Sequence, residues 1–280
     1  MADAGLTHDA WLERVPELVD ECVDAWDLRL GDPYPAGAAG YTVRADLADG
    51  TRAVLKVIFP HREAEHEAAA LRMWDGDGAV RLLDYDEGRW AMLLERCEPG
   101  TLLAEAEPET ALDVFIELLP RLWTNGGAPF RPLADEAGWW IESLPGDWER
   151  AGRPFDRRLV DTAVGLLREL SDSQGDQVLL HQDLHADNVL AAEREPWLVI
   201  DPKPLVGERE FAIAPIVRDV ELGGGRRDLQ RRFDRLTSEL GLDHDRARGW
   251  TIGQTIAWSF DTSYLPQHVQ LAQWLLESSR

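Results

Sequence analysis

The chain has 280 residues, 44% hydrophobic and 29% charged, with 52 acidic against 29 basic side chains and a formal net charge of −23. Such a field repels nucleic-acid phosphates and anionic membranes and concentrates cationic small molecules, so a cationic small-molecule partner is expected and a nucleic acid is not, although solubility or adaptation to salt accounts for the charge equally well. Without a signal-like amino terminus, an apolar run of membrane-spanning length or a C-x-x-C pair (Cys22 and Cys97 are far apart), the expectation is a cytoplasmic protein with no membrane partner, disulfide framework or thiolate zinc site.

In chain order, Trp11, Val15, Leu18, Val19, Cys22, Val23 and Trp26 recur at helical intervals over residues 9 to 27, the stripe of an amphipathic helix that Gly31-Asp32-Pro33 ends. Pro35-Ala36-Gly37-Ala38-Ala39-Gly40 follows. Its glycines would let backbone approach phosphates, or they make a plain flexible loop; the stretch lacks the Lys-Ser/Thr ending of a P-loop. Two strands, Tyr41 to Leu47 and Thr51 to Phe59, then flank the tight turn Ala48-Asp49-Gly50.

The second strand contains Ala53-Val54-Leu55-Lys56-Val57, a lysine among residues that ought to be buried. A lone lysine reads as a snorkelling surface residue. A strand lysine in a kinase instead reaches the α- and β-phosphates and pairs with a glutamate of the next helix. The helical segment 61 to 74 offers Glu63 and Glu67 at i, i+4, and Glu67 is the preferred partner because Ala68-Ala69-Ala70 after it allow close packing on the sheet.

Ala79 to Tyr85 and Arg89 to Cys97 read as further strands, giving a small sheet of at least four. Glu98-Pro99-Gly100 breaks the pattern, and the chain beyond is mainly helical, which divides it into a nucleotide-binding lobe, residues 1–97, and a catalytic and acceptor-binding lobe, residues 98–280. A strand feeding a Pro-Gly linker offers backbone groups to an adenine edge, with Glu95 and Cys97 as the backbone contacts and Leu94 facing the pocket. In the second lobe a helix opens at Pro108 and another runs over about 156 to 172. Between them Gly138-Trp139-Trp140-Ile141 and Gly146-Asp147-Trp148 read as a loop-rich segment, its aromatics either walling an acceptor pocket or covering a helical core. Helices near 226 to 241, 246 to 260 and 266 to 278 complete the chain.

The stretch that carries chemistry is Leu180-His181-Gln182-Asp183-Leu184-His185-Ala186-Asp187-Asn188-Val189-Leu190, followed by Ile200-Asp201-Pro202. A kinase catalytic loop needs an aspartate that takes the acceptor's proton and, five positions on, an asparagine that holds Mg2+; Asp183 and Asn188 meet that spacing. Asp201, at the end of the apolar run Trp197-Leu198-Val199-Ile200, stands where a strand would deliver a second metal-binding carboxylate. The rival reading makes His181, Asp183, His185 and Asp187 ligands of a metal-dependent hydrolase. It leaves the strand lysine, the helix glutamate and the linker unexplained. A catalytically dead binding module is disfavoured because base, metal ligands and lysine are all present.

The block L-H-Q-D-L-H-A-D-N-V-L and the following W-L-V-I-D-P-K-P-L-V-G-E resemble the H-G-D-L-H-x-x-N and I-D-P signatures of the aminoglycoside phosphotransferase superfamily. Residues 76–83 (G-D-G-A-V-R-L-L), 92–95 (M-L-L-E), 198–202 (L-V-I-D-P) and 205–208 (L-V-G-E) resemble, more narrowly, its streptomycin 6-kinase and hydroxyurea phosphotransferase branch. The resemblance implies an α+β, two-lobed protein-kinase-like fold: a small N-terminal antiparallel sheet lobe and a larger, mainly helical C-terminal lobe. It implies an enzyme that uses ATP and Mg2+ to phosphorylate a hydroxyl of a small molecule, such as streptomycin or another aminoglycoside, with an endogenous amino sugar or other metabolite as the alternative. On that basis Asp183 is the base, Asn188 and Asp201 hold Mg2+, Lys56 with Glu67 orients phosphates, and Leu94, Glu95 and Cys97 line the adenine site. Gln182 replaces the usual glycine beside the base, Pro204 follows Lys203 where glycine is frequent, and Phe211-Ala212-Ile213-Ala214 replaces an aspartate-bearing segment. Gln182 and Lys203 are therefore expected to face the acceptor, together with Asp219 and Asp261 from segments expected to border the cleft.

Overall fold

Val43 and Ala45, then Ala53, Leu55 and Val57, are buried at two-residue spacing, and these runs form the paired strands that such a period demands. The structure is a computed structural model that describes residues 7–35, 40–260 and 263–277, arranged as two compact units. The first lies within Met1–Thr101 and takes in the returning segment Leu190–Lys203; the second comprises Leu102–Val189 and Pro204–Arg280.

The first unit begins with helix α1 (His8–Trp26), capped by the Thr7 side chain and closed by Asp27 in a left-handed conformation. Strands β1 (Arg29–Pro33), β2 (Gly40–Asp46) and β3 (Arg52–Ile58), helix α2 (Glu67–Trp74), and strands β4 (Leu82–Asp86) and β5 (Ala91–Glu95) follow. The sheet is antiparallel throughout, in the order β1-β2-β3-β5-β4. Trp11, Val15, Leu18, Val19 and Cys22 of α1 join Val43, Leu55 and Leu93 of the sheet in one apolar cluster. Gly31-Asp32-Pro33 does not simply end the first helix: it belongs to edge strand β1, where Leu30 pairs with Ala45. Proline at the end of an edge strand costs the sheet no ladder hydrogen bond.

The rest of the chain carries α3 (Pro108–Leu122), β6 (Arg131–Pro132), α4 (Leu133–Arg150), α5 (Arg157–Asp172), β7 (Gln177–Leu180), β8 (Val189–Ala191), β9 (Trp197–Val199), β10 (Leu205–Glu208), α6 (Ala214–Arg218), α7 (Arg226–Glu239), α8 (His244–Ala257) and α9 (Pro266–Glu277). The segment read as loop-rich is the single helix α4. Leu133, Ala137, Trp140, Leu144 and Trp148 are buried at three- and four-residue intervals, and that burial outweighs the weak helix propensity of Gly138, Pro145 and Gly146. Trp140 stacks on Phe211 at 6.0 Å between ring centroids, so this aromatic covers a core.

Helix α8 is buried from Gly249 to Ile256, as befits the central helix of a bundle. Side chains at Gly249 and Gly253 would run into Leu170 and Leu167, at 2.8 and 2.6 Å, so the two glycines set how closely α5 packs. In the three-stranded sheet β6-β10-β7, Glu208 of β10 is fully covered. It accepts from both Arg246 (2.8 and 2.9 Å) and the Trp250 indole N–H, which accounts structurally for the L-V-G-E stretch. No helix among the described residues is long and apolar enough to cross a membrane.

Candidate active site

In the first unit, the period of β3 turns Lys56 inward, to 7% exposure. Its Nζ lies 2.6 Å from Glu67 Oε1, at the first residue of α2, and 2.9 Å from Asp201 Oδ1. Buried Ala68 and Ala70 let that helix sit close. Burial opposes the charge on Lys56, and the carboxylates of Asp201 and Glu67 more than overcome it, holding the lysine protonated above its ordinary range. Of the two candidate glutamates the structure selects Glu67, while Glu63 lies 3.6 Å from Lys203.

Asp201 arrives through the returning segment. Val199 N–H donates to the Gly78 carbonyl (2.9 Å) and Val80 N–H to the Val199 carbonyl (3.0 Å). Arg194 fastens the same segment to the sheet, donating to Gly76 and Ala79 carbonyls (2.7 and 3.0 Å) and to both Glu95 carboxylate oxygens (2.8 and 2.9 Å). The G-D-G-A and M-L-L-E motifs therefore anchor the strand that delivers Asp201, whose own φ of 56° turns the chain immediately after it. Lys56, Glu67, Asp201, His61 and Lys203 line a cavity of about 230 Å³, with Gly40 and Thr42 on its wall. Residues 36–39, the middle of the glycine-rich stretch, lie outside the described residues.

Of the expected adenine contacts, Leu94 is buried in β5 between Val54 and Leu82. The Glu95 N–H donates to the Arg81 carbonyl (2.9 Å), so this backbone donor already has an intramolecular partner. Burial disfavours the Glu95 charge, yet hydrogen bonds from Arg194 and the Arg81 N–H hold its carboxyl below the usual range. Cys97 is buried, and desolvation pushes its thiol up to about 12, so it is an inert small hydrophobe.

In the second unit, the loop after β7 is braced by its own side chains. Asn188 Nδ2 donates to the Asp183 carbonyl (2.8 Å), so the five-residue spacing closes a ring and leaves the amide's oxygen as its ligand atom. The Asp183 N–H donates to the His181 carbonyl at 2.9 Å. Asp219 does not present an open carboxylate to an acceptor: Oδ2 accepts from the Ala186 N–H (2.8 Å) and Oδ1 from the Glu221 N–H (3.1 Å), so it braces the loop from α6. Gln182 is 2% exposed at φ 65°, and neither polar atom of its side chain has a hydrogen-bond partner among the described residues. The sequence expectation put this amide at the acceptor; the structure buries it, because the left-handed backbone directs it into the lobe. Asp261 lies outside the described residues.

Arg218, at the end of α6, is a functional candidate that no spacing rule identifies. Its Nη2 lies 3.6 Å from Asp183 Oδ1, its Nη1 donates to Gln254 Oε1 (2.8 Å), and its guanidinium sits 4.3 Å over the Trp258 ring. Gln254 Nε2 in turn donates to the Gln182 carbonyl at 3.3 Å. His181, Asp183, His185 and Asp187, by contrast, make no metal-ligand cluster among the described residues; His185 Nε2 is 3.2 Å from Asn188 Nδ2.

Residues 32–261, over half of the chain, match the model of the aminoglycoside/hydroxyurea antibiotic resistance kinase family. The chain belongs to this family. It is 41% identical to a streptomycin 6-kinase of Streptomyces griseus, over 95% of this chain and 91% of that one. It is also 41% identical to a hydroxyurea phosphotransferase of Kitasatospora aureofaciens, over 90% of this chain and 74% of that one. Among solved structures, the aminoglycoside phosphotransferase APH(4)-Ia matches with a TM-score of 0.66 at 14% identity, covering 94% of this chain and 98% of the other. That likeness shows the fold to be α+β, two-lobed and protein-kinase-like, as the signatures implied. The family member is a kinase, and the metal-dependent hydrolase reading is set aside.

Proposed function

We propose that this kinase transfers the γ-phosphoryl group of ATP to a hydroxyl of a small cationic acceptor of the aminoglycoside type, streptomycin first among them. The observation that carries the reading is the buried Lys56–Glu67 pair with Asp201 beside it, on one wall of a phosphate-sized cavity. The streptomycin 6-kinase relative supports the acceptor class, and the net charge of −23 favours a cationic one. We assign the enzyme to the cytoplasm, where its nucleotide substrate is supplied.

In this scheme Asp183 orients the acceptor hydroxyl and takes its proton while that oxygen bonds to the γ-phosphorus. The bond from phosphorus to the β-bridging oxygen breaks, and ADP leaves with the electron pair. Lys56, held by Glu67, positions the α- and β-phosphates. Leu94, Glu95 and Cys97 belong to the strand and linker that would meet adenine, and the Glu95 N–H is already engaged by the Arg81 carbonyl. The donor set suits Mg2+, a hard cation that takes oxygen ligands: the Asn188 amide oxygen and the Asp201 carboxylate would hold it, and the ion would neutralise charge on the transferring phosphoryl group. Asp219 braces the loop that carries the base.

Arg218 would fix the Asp183 carboxylate. Arg218→Ala is expected to lower kcat on the order of 100-fold, the cost of a base displaced by an ångström, with nucleotide affinity unchanged and part of the rate recovered in Arg218→Lys. A wild-type kcat in Arg218→Ala would remove the arginine from the scheme.

The equal identity to the hydroxyurea phosphotransferase favours one second reading, a small uncharged N-hydroxy acceptor. Streptomycin, other aminoglycosides, amino sugars and hydroxyurea, each incubated with γ-labelled ATP and scored for label in the acceptor, separate the two. Label in streptomycin is the expected result, label in hydroxyurea alone establishes the second reading, and label in amino sugars alone makes the enzyme metabolic.

A further inference from the structure

The cavity around Lys56 has a charge problem. Two of its wall residues, Glu67 and Asp201, are carboxylates on the lysine itself, at 2.6 and 2.9 Å. Each takes one of the three donors of the ammonium group, leaving one N–H for a phosphate. One lysine set against two carboxylates makes this wall net negative, whereas a nucleotide's phosphates carry several negative charges. Besides the metal ion that Asp201 would hold, a second side-chain cation on this wall would favour phosphate binding.

Lys203 supplies it. It lines the same cavity as Lys56 and Asp201. The backbone that presents it lies between Pro202, whose ring locks its own φ, and Pro204, which biases Lys203 to an extended backbone and so narrows where the side chain starts. Its contact with Glu63 is long, 3.6 Å against 2.6 Å for Lys56–Glu67, and both partners are partly exposed, at 31% and 26%. Such a contact can be exchanged for a phosphate oxygen without stranding a buried charge. The cavity's volume of about 230 Å³ lies below the roughly 300–1,000 Å³ of sites that enclose a whole drug-sized ligand, so it fits the phosphate end of a nucleotide.

We propose that Lys203 is a second phosphate-binding residue of the nucleotide site, acting beside Lys56, rather than a residue that faces the acceptor. The proposal rests on the kinase reading above. The Pro-Lys-Pro sequence then has a purpose: it brings a cation to the cavity beside the aspartate that would bind the metal.

The test is nucleotide binding to the whole chain, measured by calorimetry with ATP, ADP and adenosine in the presence of MgCl2. Lys203→Ala is expected to weaken ATP about tenfold and ADP by less, to leave adenosine unchanged, and to be largely rescued by Lys203→Arg, which keeps the charge. Steady-state kinetics are expected to show a raised KM for ATP with the KM for the acceptor unchanged. ATP affinity equal to wild type in Lys203→Ala overturns the proposal, as does a raised acceptor KM with normal ATP binding. An equal loss for adenosine and ATP also overturns it, since phosphate contacts would then not be the cause. Failure of the wild-type chain to bind any ATP is a distinct result: it overturns the kinase reading itself.

Discussion

Asp183→Asn is expected to reduce turnover by about three orders of magnitude, within the range of 10²–10⁴ assigned to a positioned general base, while nucleotide affinity stays within about twofold of wild type. The substitution is nearly isosteric, so the ring closed by Asn188 Nδ2 on the residue-183 carbonyl survives, because that bond goes to the backbone and not to the side chain. The Ala186–Asp219 brace is likewise untouched. What is lost is the oxygen that accepts the proton. The contact with Arg218, 3.6 Å from Asp183 Oδ1, loses its charge complement as well, which adds to the effect on kcat and leaves nucleotide binding alone. Calorimetry for binding and label transfer for turnover check the two halves, and unchanged turnover would sink the assignment of Asp183.

Lys56→Met is expected to destabilise the protein by about 3–5 kcal/mol and to abolish measurable nucleotide affinity, because removing one partner of a buried ion pair strands the other. Glu67 is the residue stranded, with its side chain 4% exposed. In the wild type, burial already pushes the Glu67 carboxyl up and Lys56 pulls it back; without the lysine, burial acts unopposed and the folded state takes up a proton. A carboxyl whose folded pKa lies above its unfolded value binds more protons folded than unfolded, so the variant loses stability as pH rises from about 4.5 towards that folded value. Because the wild-type carboxyl is itself raised to about 7, both proteins lose stability alike up to that pH, and the deficit relative to wild type grows above it. Lys56→Met combined with Glu67→Leu is expected to recover most of the stability and none of the nucleotide affinity. Denaturant melts at several pH values, read beside nucleotide titrations, check this; a single variant as stable as wild type at pH 7 would contradict the buried pair.

These predictions use residues that differ in how visible they are in the sequence. Asp183, Asn188 and Asp201 belong to short motifs whose spacing is set by local backbone geometry, so they can be read without a fold. Lys56 and Glu67 are legible for a related reason: a lysine inside an alternating apolar run, and a glutamate before a run of alanines, announce burial at both ends of a contact only eleven residues apart. Arg218 and Arg194 are invisible at that level. Their partners lie 35 residues away for Asp183 and 99 residues away for Glu95, the latter bond being 2.8 Å, and nothing local distinguishes either arginine from a surface one. Gln182 and Asp219 were legible as residues of interest but not in their roles. A side chain's direction depends on the backbone angle at Gln182 and, at Asp219, on which amides come within reach; both are settled only when the helices after the loop pack against it.

The same division holds for the fold. Alternation in β2 and β3 and the stripe of α1 follow from side-chain period alone. Helix α4 does not: its glycines and proline argue against a helix, and only burial of Trp140, Leu144 and Trp148 against the rest of the lobe favours one. The amino-acid sequence by itself determined the α+β class and the kinase motifs that hold the residues proposed as phosphate clamp and base, because each is written in residues close together or in a repeating period. The tertiary structure decided the rest: what Arg194 and Arg218 grip, where Gln182 points, and on which wall Lys203 stands. Those depend on contacts between distant segments, whose geometry exists only after the chain has packed.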